Sequence, residues 1–199
     1  MKRSERNQRL NMKDKSLAQG QGVITLVPLG LDEESILEVL GRDLKRVFDI
    51  QVRIVNHLEI PANSHNPQRN QYQATLFLIA MRRCMDPEKK ERVLGVTDKD
   101  LYVEGLNFVF GQAELSGFFA VISFARLHQS FYKLPEDRVL FLKRAKKEAV
   151  HELGHTFGLK HCPNSNCVMC FSNSLHDTDR KSDEFCQSCK TRIEQLLRF

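Results

Sequence analysis

Apolar positions along the chain switch between the spacing of strands and that of helices. Val23-Ile24-Thr25-Leu26-Val27 is short, β-branched and closed by Pro28, which predicts a strand. Behind it Asp32 is a candidate helix cap, and Ile36, Leu37, Leu40, Leu44 and Val47 recur at helical spacing. Residues 49–58 alternate Ile50, Val52 and Ile54 with polar neighbours, the pattern of a half-buried strand. A polar loop with Pro61 and Pro67 precedes a predicted helix over 72–85, stopped by Asp86-Pro87. Residues 93–97, 107–110 and 118–124 are three further predicted strands, the last two set apart by Gly111 and Gly117. Strand and helix therefore alternate and then give way to strands, which predicts an α+β fold, a mixed twisted sheet with helices packed on it. From Pro135 a long helix is expected, with Val139, Leu140, Leu142, Ala145, Val150, Leu153 and Gly154 mainly along one side, ending at Gly158-Leu159. Residues 162–185 read as an irregular loop. A last helix over 186–197 would bury Ile193, Leu196 and Leu197.

Composition narrows the class. At 199 residues, 41% hydrophobic and 28% charged, the chain has enough material for one sizeable core. Residues 1–21 are polar and without periodicity and are expected to form a flexible basic tail. Residues 22–199 would form a single domain, with a sheet-helix part over 22–160 and a C-terminal part over 161–199. The formal charge of +5 is unevenly placed: six basic and two acidic residues fall within positions 1–20. The remainder is nearly neutral, so no strongly basic face for nucleic acid is expected. The first residues lack a signal peptide's apolar stretch, and the longest apolar run, 76–81, is far too short to span a membrane. A cytoplasmic protein without a membrane partner is the expectation, and its six cysteines are then metal ligands or free thiols rather than disulfides.

The chemistry concentrates in residues 151–189. His151-Glu152-Leu153-Gly154-His155 places two imidazoles four residues apart, on one helix face, where both can bind one metal ion. Glu152, turned about 100° from His151, can face a metal-bound water instead of the metal. Gly158, free to take positive φ, can end the helix and turn the chain so that His161 becomes a third ligand. A catalytic zinc keeps one position open for water, lowers its pKa and polarises a carbonyl, and Glu152 would serve as general base. Cys162, Cys167, Cys186 and Cys189 form two pairs that can close a tetrahedral structural zinc site, although Cys170 is near enough in sequence to substitute for a member. Cys84 is expected in the core.

The pattern His151-Glu152-x-x-His155-x-x-Gly158-x-x-His161 followed by a methionine is the metzincin signature. With Cys162-x4-Cys167-x-Met169 and Cys186-x-x-Cys189 it resembles the archaemetzincins, a branch of that clan, densely over about forty residues. The resemblance implies a metzincin-like zincin with a long active-site helix and a C-terminal loop and helix stapled by zinc. It implies two zinc ions per chain: a catalytic one on His151, His155 and His161, and a structural one on Cys162 rather than Cys170, with Cys167, Cys186 and Cys189. It also implies Glu152 as general base and Met169 as a hydrophobic floor under the first metal. The function implied is zinc-dependent hydrolysis of peptide bonds in a peptide or protein substrate by a zinc-activated water. Metzincin-like sites hold the substrate extended along an edge strand, for which residues 118–124 are the candidate. His128 and His176 are weaker candidates for stabilising a tetrahedral intermediate. The competing reading is a non-catalytic zinc-binding interaction module with a vestigial site. The oligomeric state is not readable from the sequence.

Overall fold

A computed structural model describes residues 22–197. The expected basic tail lies outside them. Strands β1 (Val23–Pro28), β2 (Gln51–Ile54), β5 (Glu91–Thr97), β7 (Gly111–Ala113) and β8 (Phe119–Ser123) form one sheet in the order β2-β1-β5-β8-β7. All neighbours pair in parallel except β7, which runs antiparallel to β8. A small second sheet joins β3 (His65–Asn66), β4 (Gln71–Gln73) and β6 (Leu101–Tyr102).

Helices cover both faces of the main sheet. Helix α1 (Ile36–Phe48) and helix α3 (Arg138–Thr156) pack on the face bearing Ile24, Leu26, Leu94, Val96 and Ile122. Helix α2 (Ala74–Cys84) packs on the other face, against Val27, Leu29, Val93 and Val121. Burial on both sides explains why β1 and β8 are buried at every position and nearly all apolar, Thr25 and Ser123 being the polar members. No helix among the described residues is long and apolar enough to cross a membrane.

Several local expectations shift. The helix after Asp32 starts later, with Ser35 at its cap, while the Asp32 backbone N–H donates to Asp98 Oδ2 at 2.7 Å. Residues 107–110 make only an isolated bridge, Val109 to Leu101, and the strand follows them as β7. Tyr72, expected in a helix, pairs in the small sheet. The loop after Met169 contains helix α4 (Leu175–Arg180), and the chain ends in α5 (Gln187–Leu197). Ile193 is buried in α5, whereas Leu196 is exposed.

Helix α3 starts where Asp137 Oδ1 accepts the Leu140 N–H at 2.9 Å. Its buried face is Phe141, Ala145, Ala149, Val150 and Leu153. Val139, expected on that face, is exposed, because the buried stripe begins at Phe141, two residues on and on the opposite side of the helix. At the far end Gly158 has φ +97°, and the Gly158 and Leu159 N–H groups donate back to His155 O and Gly154 O at 2.9 and 3.0 Å. That left-handed residue redirects the chain toward residue 161.

A candidate metal centre on the long helix

His151 and His155 project from one face of α3, and the turn after Gly158 brings His161 to them. The ring centroids lie 4.7 to 5.3 Å apart in all three pairings. One nitrogen from each ring falls within 4.8 Å of the other two. Backbone carbonyls set the tautomers of the helical pair. His151 Nδ1 donates to Val168 O at 2.8 Å and His155 Nδ1 to Leu159 O at 2.7 Å. Both Nε2 atoms then carry lone pairs, yet they sit 3.1 Å apart. Two lone pairs at that distance repel unless a cation lies between them. A tetrahedral zinc with bonds of about 2.0–2.1 Å separates its ligands by about 3.3 Å, so the donor set fits one.

Electrostatics favours the same use. Burial, with Lys181 nearby, holds His151 well below its ordinary pKa, and burial lowers His155 and His161 as well. All three are neutral donors at pH 7, as metal ligation requires. Glu152 lies between the two helical histidines in sequence and is also buried. Burial and the neighbouring Glu148 carboxylate push its pKa up to about 8, and Lys181 opposes them.

The region around the imidazoles is a cavity of about 300 Å³. One wall is residues 108–113, a second is the α3 turns carrying Glu148, His151, Glu152 and His155, and a third is Phe171, Ser172 and Asn173. Beneath the helix Met169 is fully buried. A Cβ on Gly154 would stand 2.5 Å from Met169 Sδ, so glycine is what lets the methionine seat against the helix between the two histidines.

A second cluster lies close by in sequence. One sulfur each from Cys162, Cys167, Cys186 and Cys189 fall within 4.8 Å of one another. The Cys162 and Cys186 sulfurs are 3.8 Å apart, and the Cys186 N–H donates to Cys167 Sγ at 3.3 Å. The Cys189 backbone N–H pulls Cys186 down to about 7, whereas burial pushes Cys167 and Cys189 up. Four soft thiolate donors of this arrangement suit a closed zinc site. Cys170 is outside the cluster, its thiol 3.7 Å from Phe171 O. Cys84 is half-buried at the margin of the core under α2.

Other expectations change here. Residues 119–123 are not an edge: β8 lies between β5 and β7, and the free edge beside the cavity belongs to β7. His128 stacks on Phe141 at 3.8 Å and pairs with Glu136 at 2.8 Å, away from the cavity walls. His176 lies exposed on α4, outside the cavity. Three features went unread in the sequence. The Val168 carbonyl has no side-chain signature. Lys181 arrives from a segment with no apolar pattern. Glu148 did leave a trace, a carboxylate on a buried helix face one turn before Glu152.

The model of peptidase family M54 matches residues 52–195. The archaemetzincin of Pyrococcus furiosus is 46% identical over 180 residues, covering 88% of this chain and 94% of that protein. The crystal structure of archaemetzincin from Methanopyrus kandleri superposes with a TM-score of 0.80 at 39% identity, over 92% of this chain and 99% of that one. A zinc-dependent peptidase from Methanocorpusculum labreanum superposes with a TM-score of 0.76 at 30% identity, over 85% and 99%.

Proposed function

The chain belongs to peptidase family M54 and is a zinc metallopeptidase; from that premise we propose how its residues divide the work. His151, His155 and His161 hold the catalytic zinc, which when bound supplies a Lewis acid for the peptide carbonyl and lowers the pKa of water. Glu152 takes the proton from the attacking water and returns it to the leaving amine. Its burial leaves the carboxylate poorly solvated, so its charge would be stabilised by the zinc beside it rather than by water. The carbonyls of Val168 and Leu159 fix the ring orientations, as groups behind a metal ligand do. The outer edge of β7 offers backbone N–H and C=O groups on which an extended peptide can pair across the cavity mouth. Cys162, Cys167, Cys186 and Cys189 hold a second, structural zinc, giving two ions per chain.

The observation that carries this reading is the pair of imidazole lone pairs 3.1 Å apart, beside a buried carboxylate and a free strand edge. Glu152→Ala is the test. Cleavage of a peptide library should fall by at least about 100-fold while metal analysis still finds two zinc ions per chain. Zinc-loaded wild-type chain that cleaves no library member would sink the proposal in favour of a non-catalytic zinc module.

A further inference from the structure

The cavity beside the histidines is not uniformly apolar. Its mouth is greasy and open, with Leu106 48% and Phe171 53% exposed. Its depth is closed, with Phe110 5% and Glu148 3% exposed. So the cavity narrows from an aromatic entrance to a charged floor. Glu148 is held there from two sides. Thr178 Oγ1 donates to Glu148 Oε1 at 3.1 Å, and Lys181 Nζ lies 3.0 Å from the same oxygen. Glu148 Oε2 accepts no hydrogen bond from the described residues. On the third wall Ser172 Oγ is buried and has no hydrogen-bond partner among the described residues; the buried Lys181 Nζ has none either, its 3.0 Å approach to Glu148 being an ion pair without hydrogen-bond geometry. A cavity whose floor offers a carboxylate oxygen free of protein donors, beside a wall that holds an unpartnered hydroxyl, can take a ligand's polar group.

We propose that Glu148, positioned by Lys181 and Thr178, is a specificity-determining residue, and that this cavity selects a substrate side chain with an aromatic body and a hydroxyl tip, tyrosine above phenylalanine. The proposal rests on the peptidase reading for calling the occupant a substrate. The walls suit a ring, through Phe108, Phe110 and Phe171. The tip follows from charge and hydrogen-bond counting. Lys181 already balances the Glu148 charge inside the protein, so a cationic tip would leave an uncompensated buried charge. A phenol is neutral and can donate one hydrogen bond to Glu148 Oε2, and a rotation of Ser172 toward the cavity would let it accept one from Oγ. An ammonium can only donate.

The test is binding to the zinc-loaded chain, read by calorimetry without turnover. The probes are short peptide hydroxamates in matched tyrosine, phenylalanine and lysine versions. They are made in two series that place the side chain on either side of the zinc-binding group. In one series the tyrosine compound should bind about 10-fold or more tighter than phenylalanine, the gain expected of a hydrogen bond to a charged acceptor. In the E148L/K181M double variant, which replaces the pair by apolar residues of similar size, the two should bind within twofold of each other. S172A, which leaves the ion pair intact, should cut the preference by about threefold and serves alone if the double variant does not fold. A tyrosine preference under twofold in both series overturns the proposal. So does a preference unchanged in the variants, tighter binding of the lysine compound, or no binding of any probe. Tyrosine-selective binding without cleavage of any peptide would instead refute the peptidase reading and leave the selectivity standing.

Discussion

The Val168 carbonyl and the Gly154 hydrogen stand behind the proposed metal centre and support its proposed ligands. Val168 O holds His151 in the tautomer that aims Nε2 at His155 and the proposed metal position, and its neighbour Met169 is seated by the missing side chain at 154. Gly154→Ala therefore pushes a methyl to within 2.5 Å of Met169 Sδ, which must move. Overpacking of this kind costs about 1–3 kcal/mol, offset in part by alanine's better helix propensity. The variant should show a lowered urea midpoint, and it should lose zinc to a chelator faster because Val168 moves with Met169. An unchanged midpoint and release rate would mean that the methionine shifts freely and is no support. At this scale sequence and structure diverge for a physical reason. His151, Glu152, His155, Gly158 and His161 were legible because helix periodicity and one left-handed glycine bring them together locally. Glu148, Lys181 and Val168 act through contacts between segments 17 to 33 residues apart. No local spacing encodes these.

Elements tell the same story with larger pieces. Residues 118–124 were expected at the sheet edge, but a strand buried at five consecutive positions has both faces covered and belongs inside. The edge beside the cavity, Gly111-Gln112-Ala113, shows no β pattern because it is only three residues long and half-buried at every position. The segment between Met169 and Cys186 was expected to be irregular, since its polar residues show no apolar stripe. It folds as α4 because α3 supplies charged partners: Arg144 grips Asp179 through two contacts of 2.7 Å, and Lys146 reaches Asp183 at 2.5 Å. Residues 161–186 link the two candidate metal clusters. Cys167 precedes Val168, the Val168 N–H donates to Glu184 O at 2.9 Å, and the Cys162 N–H donates to Met169 O at 2.9 Å. Cys162 in turn follows His161 directly. Replacing Cys186 and Cys189 together by serine removes half of the four-sulfur cluster and touches no histidine. The catalytic zinc should nevertheless bind about 10-fold or more weakly in a chelator competition, the size expected when groups behind the ligands are disturbed. An affinity equal to wild type would show that the helix holds its metal without the loop.

Across the whole molecule the charge distribution decides how the fold responds to acid. Glu33, ahead of α1, is held at about 2 by two contacts of 2.6 Å from Arg138 at the start of α3. Lys146 lowers Asp183, and Ser174 lowers Asp177. Each carboxylate binds fewer protons folded than unfolded, so what it contributes is complete above the unfolded pKa near 4 and is lost as pH falls below it. The three site histidines follow the same sign at higher pH. Their folded pKa values lie below 6.5, so in the metal-free chain their contribution fades as pH falls below that value. Glu152 runs the other way: raised to about 8, it favours the folded metal-free chain as pH drops from 8 toward 4.5 and so works against the histidines' loss. Chelator-treated protein should therefore lose thermal stability in two stages, between pH 6.5 and 5 and again below 4. In zinc-loaded protein the imidazole lone pairs are occupied, so the first stage should shift to the lower pH at which the metal leaves. Melting curves of both forms at pH 7.5, 5.5 and 3.5 separate these cases. If the two forms fall in parallel between 7.5 and 5.5, the histidines are not held neutral for a metal. The acid response would then belong to the surface carboxylates alone.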